Sequence, residues 1–343
     1  MKKLVFLFAL GFAGSMAIAQ NNSSVDQDGV NHEAEVTQTG SLITSVINQD
    51  VASNIATVNQ VNSTANTVLS TINQSGNGNN ADVSQNHNGN QAGGLEAIID
   101  QVGDGNKAVQ VQGPHGQQGS TYASIDQNGN SNVAEQYQVK YGNDAYIVQS
   151  GNNNTAKQAQ DITLPLEAEG SNNYAEINQH GDGNLAEQYQ NGWSNTAVVD
   201  QDGTGNIASQ SQDAWVSEAS ILQEGAGNYA SQIQTGSLNE AVVEQGGEGN
   251  RAVQEQVGGA RRSGANYTDN NYAEIFQNGN ENEAIQFQTT AGGGIDMNFA
   301  KVSQTGDSNY SIQTQNGGFN TSTVLQNGSG NSATVTQSQF LIQ

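Results

Sequence analysis

The chain has 343 residues with a formal net charge of −24, and 86 of its residues are amides (45 Asn and 41 Gln). Only 34% of the residues are hydrophobic and 12% are charged, whereas an ordinary globular enzyme is about half apolar and a quarter charged. The scarcity of proline and the recurring β-branched residues argue against simple disorder. The acidic charge argues against binding to nucleic acid or to an anionic membrane, and the absence of cysteine excludes disulfides, thiolate zinc sites and cysteine nucleophiles.

The N-terminal segment has the features of a secretory signal peptide. Two lysines at positions 2 and 3 precede an apolar run over residues 4–13, and Ala17-Ile18-Ala19 matches the small-x-small cleavage pattern. Because the apolar run is shorter than the ~20 residues that cross a bilayer, we predict a signal peptide over residues 1–19 and no membrane insertion. The mature chain, beginning at Gln20, carries 7 basic and 33 acidic residues and therefore a net charge of −26.

A 22-residue repeat governs the rest of the chain. The pattern Gln-x-Gly-x-x-Asn-x-Ala-x-x-x-Gln occurs thirteen times, ten times in full, with His32, Val51 and Ser311 as the departures at the Asn, Gly and Ala positions. Six of the twelve steps between successive copies are 22 residues long, and none is shorter. The copies begin at Gln27, Gln49, Gln74, Gln101, Gln127, Gln149, Gln179, Gln201, Gln223, Gln245, Gln277, Gln304 and Gln326.

The sequence of each repeat predicts two short strands. The first half reads Asn-x-Ala-x-Ile-x-Gln in clear copies such as residues 173–179, and the second reads Asn-x-Ala-x-Gln-x-Gln, as in residues 184–190. This alternation has the period of two that places one set of side chains on one face of a strand. The Gly-containing segment between the halves, such as residues 180–183, supplies the turn.

Strand, turn, strand and turn, repeated thirteen times, predict an all-β fold: a β-solenoid of about 13 stacked strand-turn-strand coils. We expect the Asn, Ala, β-branched and Gln positions of the pattern to face inward. Buried amides are costly when unpaired, but in register each can donate to the next coil and accept from the previous one. Only parallel stacking brings identical residues into register, so amyloid-like parallel coils are predicted.

The variation in repeat length falls at one corner of the predicted coil. The eleven-residue step from each starting Gln to its partner Gln is constant, whereas the extra residues follow the second strand. The main insertions are residues 113–121, 161–172, 257–270 and 289–297. Because loops at one corner leave the stacked strands undisturbed, we predict a single repeat domain over residues 20–343 with no linker.

The repeat pattern resembles the curlin repeat of curli, the amyloid fibres assembled on bacterial surfaces, over residues 23–337. The resemblance implies a structural subunit of an extracellular, pilus-like or fimbrial fibre that serves cell adhesion and the biofilm matrix. It also implies subunits that are secreted unfolded, assemble with copies of themselves, and depend on curli-type secretion and nucleation proteins.

No constellation of catalytic, cofactor-binding or metal-ligating residues stands out from the repeat, so we predict a protein that is not an enzyme and uses no cofactor. Acidic turns such as residues 181–184 resemble calcium loops but lack the EF-hand and β-roll spacings. The basic doublet Arg261-Arg262 lies in the longest insertion and is interpreted as a solvated loop tip. The histidines, which lack the spacing of zinc ligands, are His32, His87, His115 and His180.

Other solenoid functions fit the sequence less well. A polysaccharide-cleaving β-helix has longer, irregular coils, and an ice-binding solenoid needs a uniform outward array. The outward positions here are instead mixed, as in Asp126, Val148, Asn178, Asp200, Leu222, Glu244 and Phe276. The alternative that stays open is a monomeric secreted β-solenoid adhesin that binds a surface ligand through its loops.

The ends of the repeat region predict head-to-tail self-association. No capping helix or charged, proline-bearing strand is evident beside the first or last unit, and solenoids that stay monomeric normally hide their end strands in this way. Residues 338–343 are uncharged, lack proline and are apolar at their centre, which is typical of a further adhesive strand.

Overall fold

The computed structural model describes residues 20–87, 93–113, 120–161, 172–258, 270–290 and 297–339. The predicted signal peptide, residues 1–19, lies outside this described part, so its assignment stays a prediction. The described residues form 26 β-strands and no helix.

The strands alternate between two sheets. The odd-numbered strands are β1 (Asn22–Val30), β3 (Ile43–Ala52), β5 (Val68–Asn77), β7 (Leu95–Val102), β9 (Thr121–Asn128), β11 (Asp144–Ser150), β13 (Tyr174–Asp182), β15 (Thr196–Thr204), β17 (Glu218–Ala226), β19 (Glu240–Glu248), β21 (Asn270–Asn278), β23 (Met297–Thr305) and β25 (Thr321–Asn327). The even-numbered strands are β2 (Glu33–Gly40), β4 (Ile55–Asn62), β6 (Asn80–His87), β8 (Lys107–Gln112), β10 (Val133–Gln138), β12 (Thr155–Gln160), β14 (Leu185–Trp193), β16 (Ile207–Trp215), β18 (Tyr229–Ser237), β20 (Arg251–Val257), β22 (Glu283–Thr289), β24 (Tyr310–Asn316) and β26 (Ser332–Ser338).

Each odd strand and the even strand that follows it make one coil, and the coils are numbered 1 to 13 from the N-terminus. The odd strands form one 13-stranded sheet and the even strands form another. Strand pairing is parallel, for example between β1 and β3 and between β13 and β15. The predicted fold class, a β-solenoid of stacked strand-turn-strand coils, is confirmed.

The chain divides into two compact units, residues 1–147 and 148–343. In the first unit Gln27 pairs with Gln49, and Gln49 pairs with Gln74. In the second unit Gln179 pairs with Gln201 in the same way. The register therefore places identical repeat positions beside one another within each unit, as the parallel stacking requires.

The core of each unit lies between the two sheets. Along β15, Ala197, Val199 and Gln201 are fully buried, whereas the side chains between them lie on the outer face. Small Ala side chains let the opposed sheets approach, and the β-branched residues fill the remaining space. In coils 2 to 4 the first inward position carries an apolar side chain instead of Asn, and these three side chains form a cluster: Ile43, Val68 and Leu95.

The turn inside each coil depends on glycine because the backbone there is left-handed and tightly stacked. Gly203 has φ +121°, and a Cβ placed on it would lie 2.0 Å from the carbonyl oxygen of Gly225 in the next coil. Any side chain at this position therefore meets both a strained backbone and a close contact. Val51 occupies the same position in coil 2 with φ 82°, a conformation that β-branched residues rarely adopt.

The second corner of the coil is where the described chain is interrupted. The gaps at 88–92, 114–119, 162–171, 259–269 and 291–296 each follow an even strand, whereas every turn from an odd strand to its even partner is described. The greater part of each of the four predicted insertions thus falls outside the described residues.

We predict that Val51→Gly stabilises the folded chain by about 1 kcal/mol, because the strain of a left-handed valine exceeds the entropy cost of the new glycine. Val51 is 45% exposed, so little apolar burial is lost. Urea denaturation followed by circular dichroism measures the change.

The matched control is Val102→Gly, which removes an exposed valine from the regular strand β7. This change should destabilise the chain, because glycine weakens a strand. Equal effects of the two substitutions would contradict the account of Val51.

Candidate functional site

A ladder of glutamine amides runs along the inner face of the odd-strand sheet. In the first unit it joins Gln27, Gln49, Gln74, Gln101 and Gln127, with Nε2–Oε1 distances of 2.6–2.8 Å. In the second unit a ladder of the same kind runs from Gln149 through each coil to Gln326, at 2.8–2.9 Å. Each bond satisfies two polar groups that would otherwise be buried unpaired.

A second ladder runs through the last inward Gln of the even strands. It extends from Gln38 to Gln138 in the first unit, with distances of 2.7–3.1 Å, and from Gln160 to Gln337 in the second, with distances of 2.9–3.0 Å. The second amide proton donates to a backbone carbonyl, as when Gln212 Nε2 bonds to Thr196 O at 2.9 Å. Each such amide is thus fixed in orientation by several partners.

The Asn that follows each odd strand holds the turn. Asn206 Oδ1 accepts the backbone N–H of Asn228 in the next coil at 3.0 Å, and its Nδ2 donates to the carbonyl oxygen of Gly225 at 3.0 Å. His32 stands at this position in coil 1, and its Nδ1 accepts the backbone N–H of Asn54 at 3.4 Å. The departure from Asn therefore keeps the acceptor that the turn requires.

A third ladder, at the middle inward position of the even strands, is present in only part of the stack. It joins Gln110 to Gln136 in the first unit at 3.0 Å and runs from Gln158 to Gln313 in the second at 2.8–3.0 Å. The first Gln of the predicted second-half pattern Asn-x-Ala-x-Gln-x-Gln is therefore present in coils 4 to 12 only. The coils that depart from it carry valine at this position: Val36, Val58, Val83 and Val335. Aligning all thirteen copies position by position reveals this departure in the sequence itself.

The ladders have a direction. In every Gln–Gln bond of the first two ladders, Nε2 of the earlier coil donates to Oε1 of the later coil, as from Gln201 to Gln223 at 2.8 Å. In the described chain, Oε1 of Gln27 and Gln38 accepts no hydrogen bond from a glutamine of an earlier coil. Nε2 of Gln326 and Gln337 donates none to a glutamine of a later coil. The first described coil thus presents acceptors, and the last described coil presents donors.

The first and last described coils are also sheet edges. The sheets end at β1 and β2 on one side and at β25 and β26 on the other. The inward side chains of β1, β2 and β26 are partly exposed, whereas those of interior strands such as β15 are buried. Edge strands with free backbone groups are templates for pairing with another chain.

The outer faces carry much of the acidic charge, and parallel register places like charges side by side. Glu218 pairs directly with Glu240 on neighbouring strands, and Asp100 pairs with Asp126. Burial raises the pKa of the Asp200 carboxyl, and the nearby Asp202 adds to the rise, while His180 opposes it. Burial and Asp100 likewise raise the pKa of Asp126.

Among the described residues, the histidines named from the sequence belong to no group that could hold a metal ion. His87 is buried, with Thr64 Oγ1 2.9 Å from its Nδ1 and Gly93 O 2.8 Å from its Nε2, whereas His180 is exposed. His115 and the Arg261-Arg262 doublet lie outside the described residues. Over the described ranges, no group of three or more His, Cys, Asp or Glu residues could hold a metal ion. In the same part of the chain, no helix has the length and apolar character needed to span a membrane.

Two parallel sheets with in-register amide ladders define the class of this protein: a parallel β-solenoid built from a tandem repeat. The family model for the curlin associated repeat matches residues 170–203, 217–247 and 314–338. These three segments therefore match the curlin repeat, and most coils outside them keep the same Gln, Gly and Asn spacing. No curated protein gives a significant match.

We predict that Gln201→Leu destabilises the fold by about 1–3 kcal/mol for each amide group left unpaired, because Gln179 and Gln223 lose their partner. The matched control is Asp202→Leu, which makes the same side chain at an exposed neighbouring position. It should cost far less. Denaturant melts of both variants give the ranking, and the reverse order would refute the assignment of faces.

Acidification should stabilise the fold. A carboxyl whose pKa is raised in the folded state contributes stability that is complete below its ordinary value, 3.8 for Asp200, and is lost as pH rises through the raised value. The denaturation midpoint should therefore increase as pH falls from about 7 to about 4. Asp200→Asn should flatten this dependence, whereas Ser303→Ala, at the same outward position of coil 12, should not. A midpoint that falls throughout this pH range would contradict the expectation.

Proposed function

We propose that this protein is the structural subunit of an extracellular, curli-like amyloid fibre that serves cell adhesion and the biofilm matrix. Its partner in the fibre is another copy of itself, joined head to tail. Residues 1–19 would direct secretion, and residues 20–343 would form the mature fibre domain, delivered by curli-type secretion and nucleation proteins. The curlin-repeat assignment and the solenoid fold both point to a structural protein rather than an enzyme.

The observation that carries the proposal is the complementarity of the two ends. Gln326 and Gln337 present amide donors at the end where Gln27 and Gln38 of another copy would present acceptors. Both pairs are separated by eleven residues, so one docking event would extend both ladders at once. The backbone edges of β25 and β26 would pair in the same step with those of β1 and β2.

Self-association of this kind works against charge. The mature chain carries a net charge of −26, which repels other copies at low ionic strength. At about 0.1 M salt the screening length falls to about 10 Å, so repulsion between chains weakens while contacts within the joint persist. Fibre growth should therefore depend on ionic strength.

We expect the mature chain to form fibres without additives, and to do so faster at 0.3 M salt than at about 0.02 M salt because screening reduces the repulsion between chains. Thioflavin fluorescence and light scattering follow the time course, and negative-stain microscopy identifies the fibres. Preformed fragments should shorten the lag, because their ends offer ready edge strands.

A chain truncated after Gln337 tests the predicted contribution of residues 338–343 and should grow more slowly. If the full-length mature chain stays monomeric at high salt over days, end-to-end assembly is the wrong mechanism. Monodisperse particles that bind a surface ligand would instead support the adhesin alternative.

A further inference from the structure

Six inward strand positions carry the same side chains in coil 1 and coil 13, although His32 and Asn331 differ at the turn. Three of these positions lie on the odd strand and three lie on the even strand. In chain order, the six residues are Ser, Val, Gln, Ala, Val and Gln in both coils. No other coil has this set, because the interior coils differ at one or more of the Ser, Val and Val positions. The residues are Ser23, Val25, Gln27, Ala34, Val36 and Gln38 in coil 1, and Ser322, Val324, Gln326, Ala333, Val335 and Gln337 in coil 13.

The middle inward position of the even strand separates coils 1 and 13 from most of the interior coils. Coils 4 to 12 carry the third Gln ladder there, whereas coils 1, 2, 3 and 13 carry valine. Val58 and Val83 are buried by their neighbours, but Val36 and Val335 are partly exposed at the ends of the described stack. An end rung that stayed in water would favour glutamine here, since water solvates an amide better than it solvates an isopropyl group.

At two places inside the chain, a Gln and a Val occupy this position in neighbouring coils, and these places show how such a mismatch affects the amide. Gln110 follows Val83 in the ladder, and its Oε1 is buried without a hydrogen-bond partner. At the other meeting Gln313 precedes Val335, and its Nε2 donates instead to Ser322 Oγ at 2.9 Å. A Gln rung against a Val rung therefore leaves an amide without its ladder partner.

We propose that Val36 and Val335 determine the specificity of end-to-end assembly. Coil 13 of one copy docks on coil 1 of another because valine meets valine at the middle position, and a rung that carries Gln there is rejected. The inference rests on the proposed fibre function and deepens it by naming what a second copy of this chain must match at the joint. The continuous valine stripe in such a joint would run from Val335 through Val36 and Val58 to Val83.

Two single substitutions test the rule. In Val335→Gln, each joint places Gln on the coil-13 side against Val36, and in Val36→Gln each joint places Val335 against a glutamine. Val36→Gln should elongate about tenfold more slowly than the unmodified chain, a change of about 1.4 kcal/mol, because the joint buries an acceptor unpaired, as at Gln110. Val335→Gln should be slowed less, because the new amide loses its ladder partner but can donate to the hydroxyl of Ser23, as Gln313 does to Ser322. The double variant has matched Gln–Gln joints and should recover the rate.

Mixing separates this rule from a folding defect. In an equimolar mixture of the two single variants, Val335 of the Val36→Gln variant docks against Val36 of the Val335→Gln variant. The two introduced glutamines meet each other at the alternate joints. The mixture should therefore elongate close to the rate of the unmodified chain, although each component alone is slower. Val58→Gln is the control for an internal mismatch: it places a glutamine beside Val36 inside the chain but keeps valine at both ends, so by itself it should elongate close to the rate of the unmodified chain.

Thioflavin time courses with equal masses of seed measure all these rates, and microscopy of the mixture confirms that the product is fibrous. Equal rates for the unmodified chain, both single variants and the double variant would overturn the matching rule while leaving the fibre proposal intact. Slow single variants that neither mixing nor the double substitution rescues would also overturn it. Failure of the unmodified chain to form fibres would remove the proposed function itself.

Discussion

The hydrogen bond from one glutamine amide to the same glutamine of the next coil is the constraint on which the rest of the structure depends. A buried amide is costly alone, yet here donor and acceptor are supplied by identical side chains one coil apart, at 2.8 Å for Gln201 and Gln223. That solution works only if the coils are parallel and in register. It therefore dictates the parallel sheets, the constant eleven-residue step and the direction of the ladders.

Other features of the coil follow from keeping that register. Tight stacking at the turn leaves no space for a Cβ beside the next backbone carbonyl, so glycine recurs where Gly203 approaches Gly225. Register also stacks the outer face on itself, so carboxylates such as Glu218 and Glu240 lie side by side. The same geometry that pairs amides inside thus concentrates like charges outside, where partial burial raises the pKa of some carboxyls.

The ends of the stack connect the fold to the proposed function. Within the described residues, the last amide donor, on Gln326, and the first acceptor, on Gln27, have no further glutamine partner, so in the proposed fibre another copy would extend the ladder. A repeat of identical rungs would also allow any matching edge to join. Valine at the end rungs introduces a difference between edges, since burying an amide against an isopropyl group is unfavourable. The departure from the repeat, rather than the repeat itself, would then carry the identity of the partner.

The sequence by itself determined the all-β class, the number of coils, the inward positions and the curlin resemblance, because the period-two alternation and the repeat spacing are local properties that the chain states thirteen times. It also located the amide ladders, since identical residues can meet only in parallel register. The tertiary structure decided which groups are left over: the unpaired Oε1 of Gln110 beside Val83, the left-handed Val51, and the partial exposure of Val36 and Val335. These features depend on the residues of the neighbouring coil, so the repeat that contains each residue does not determine them by itself.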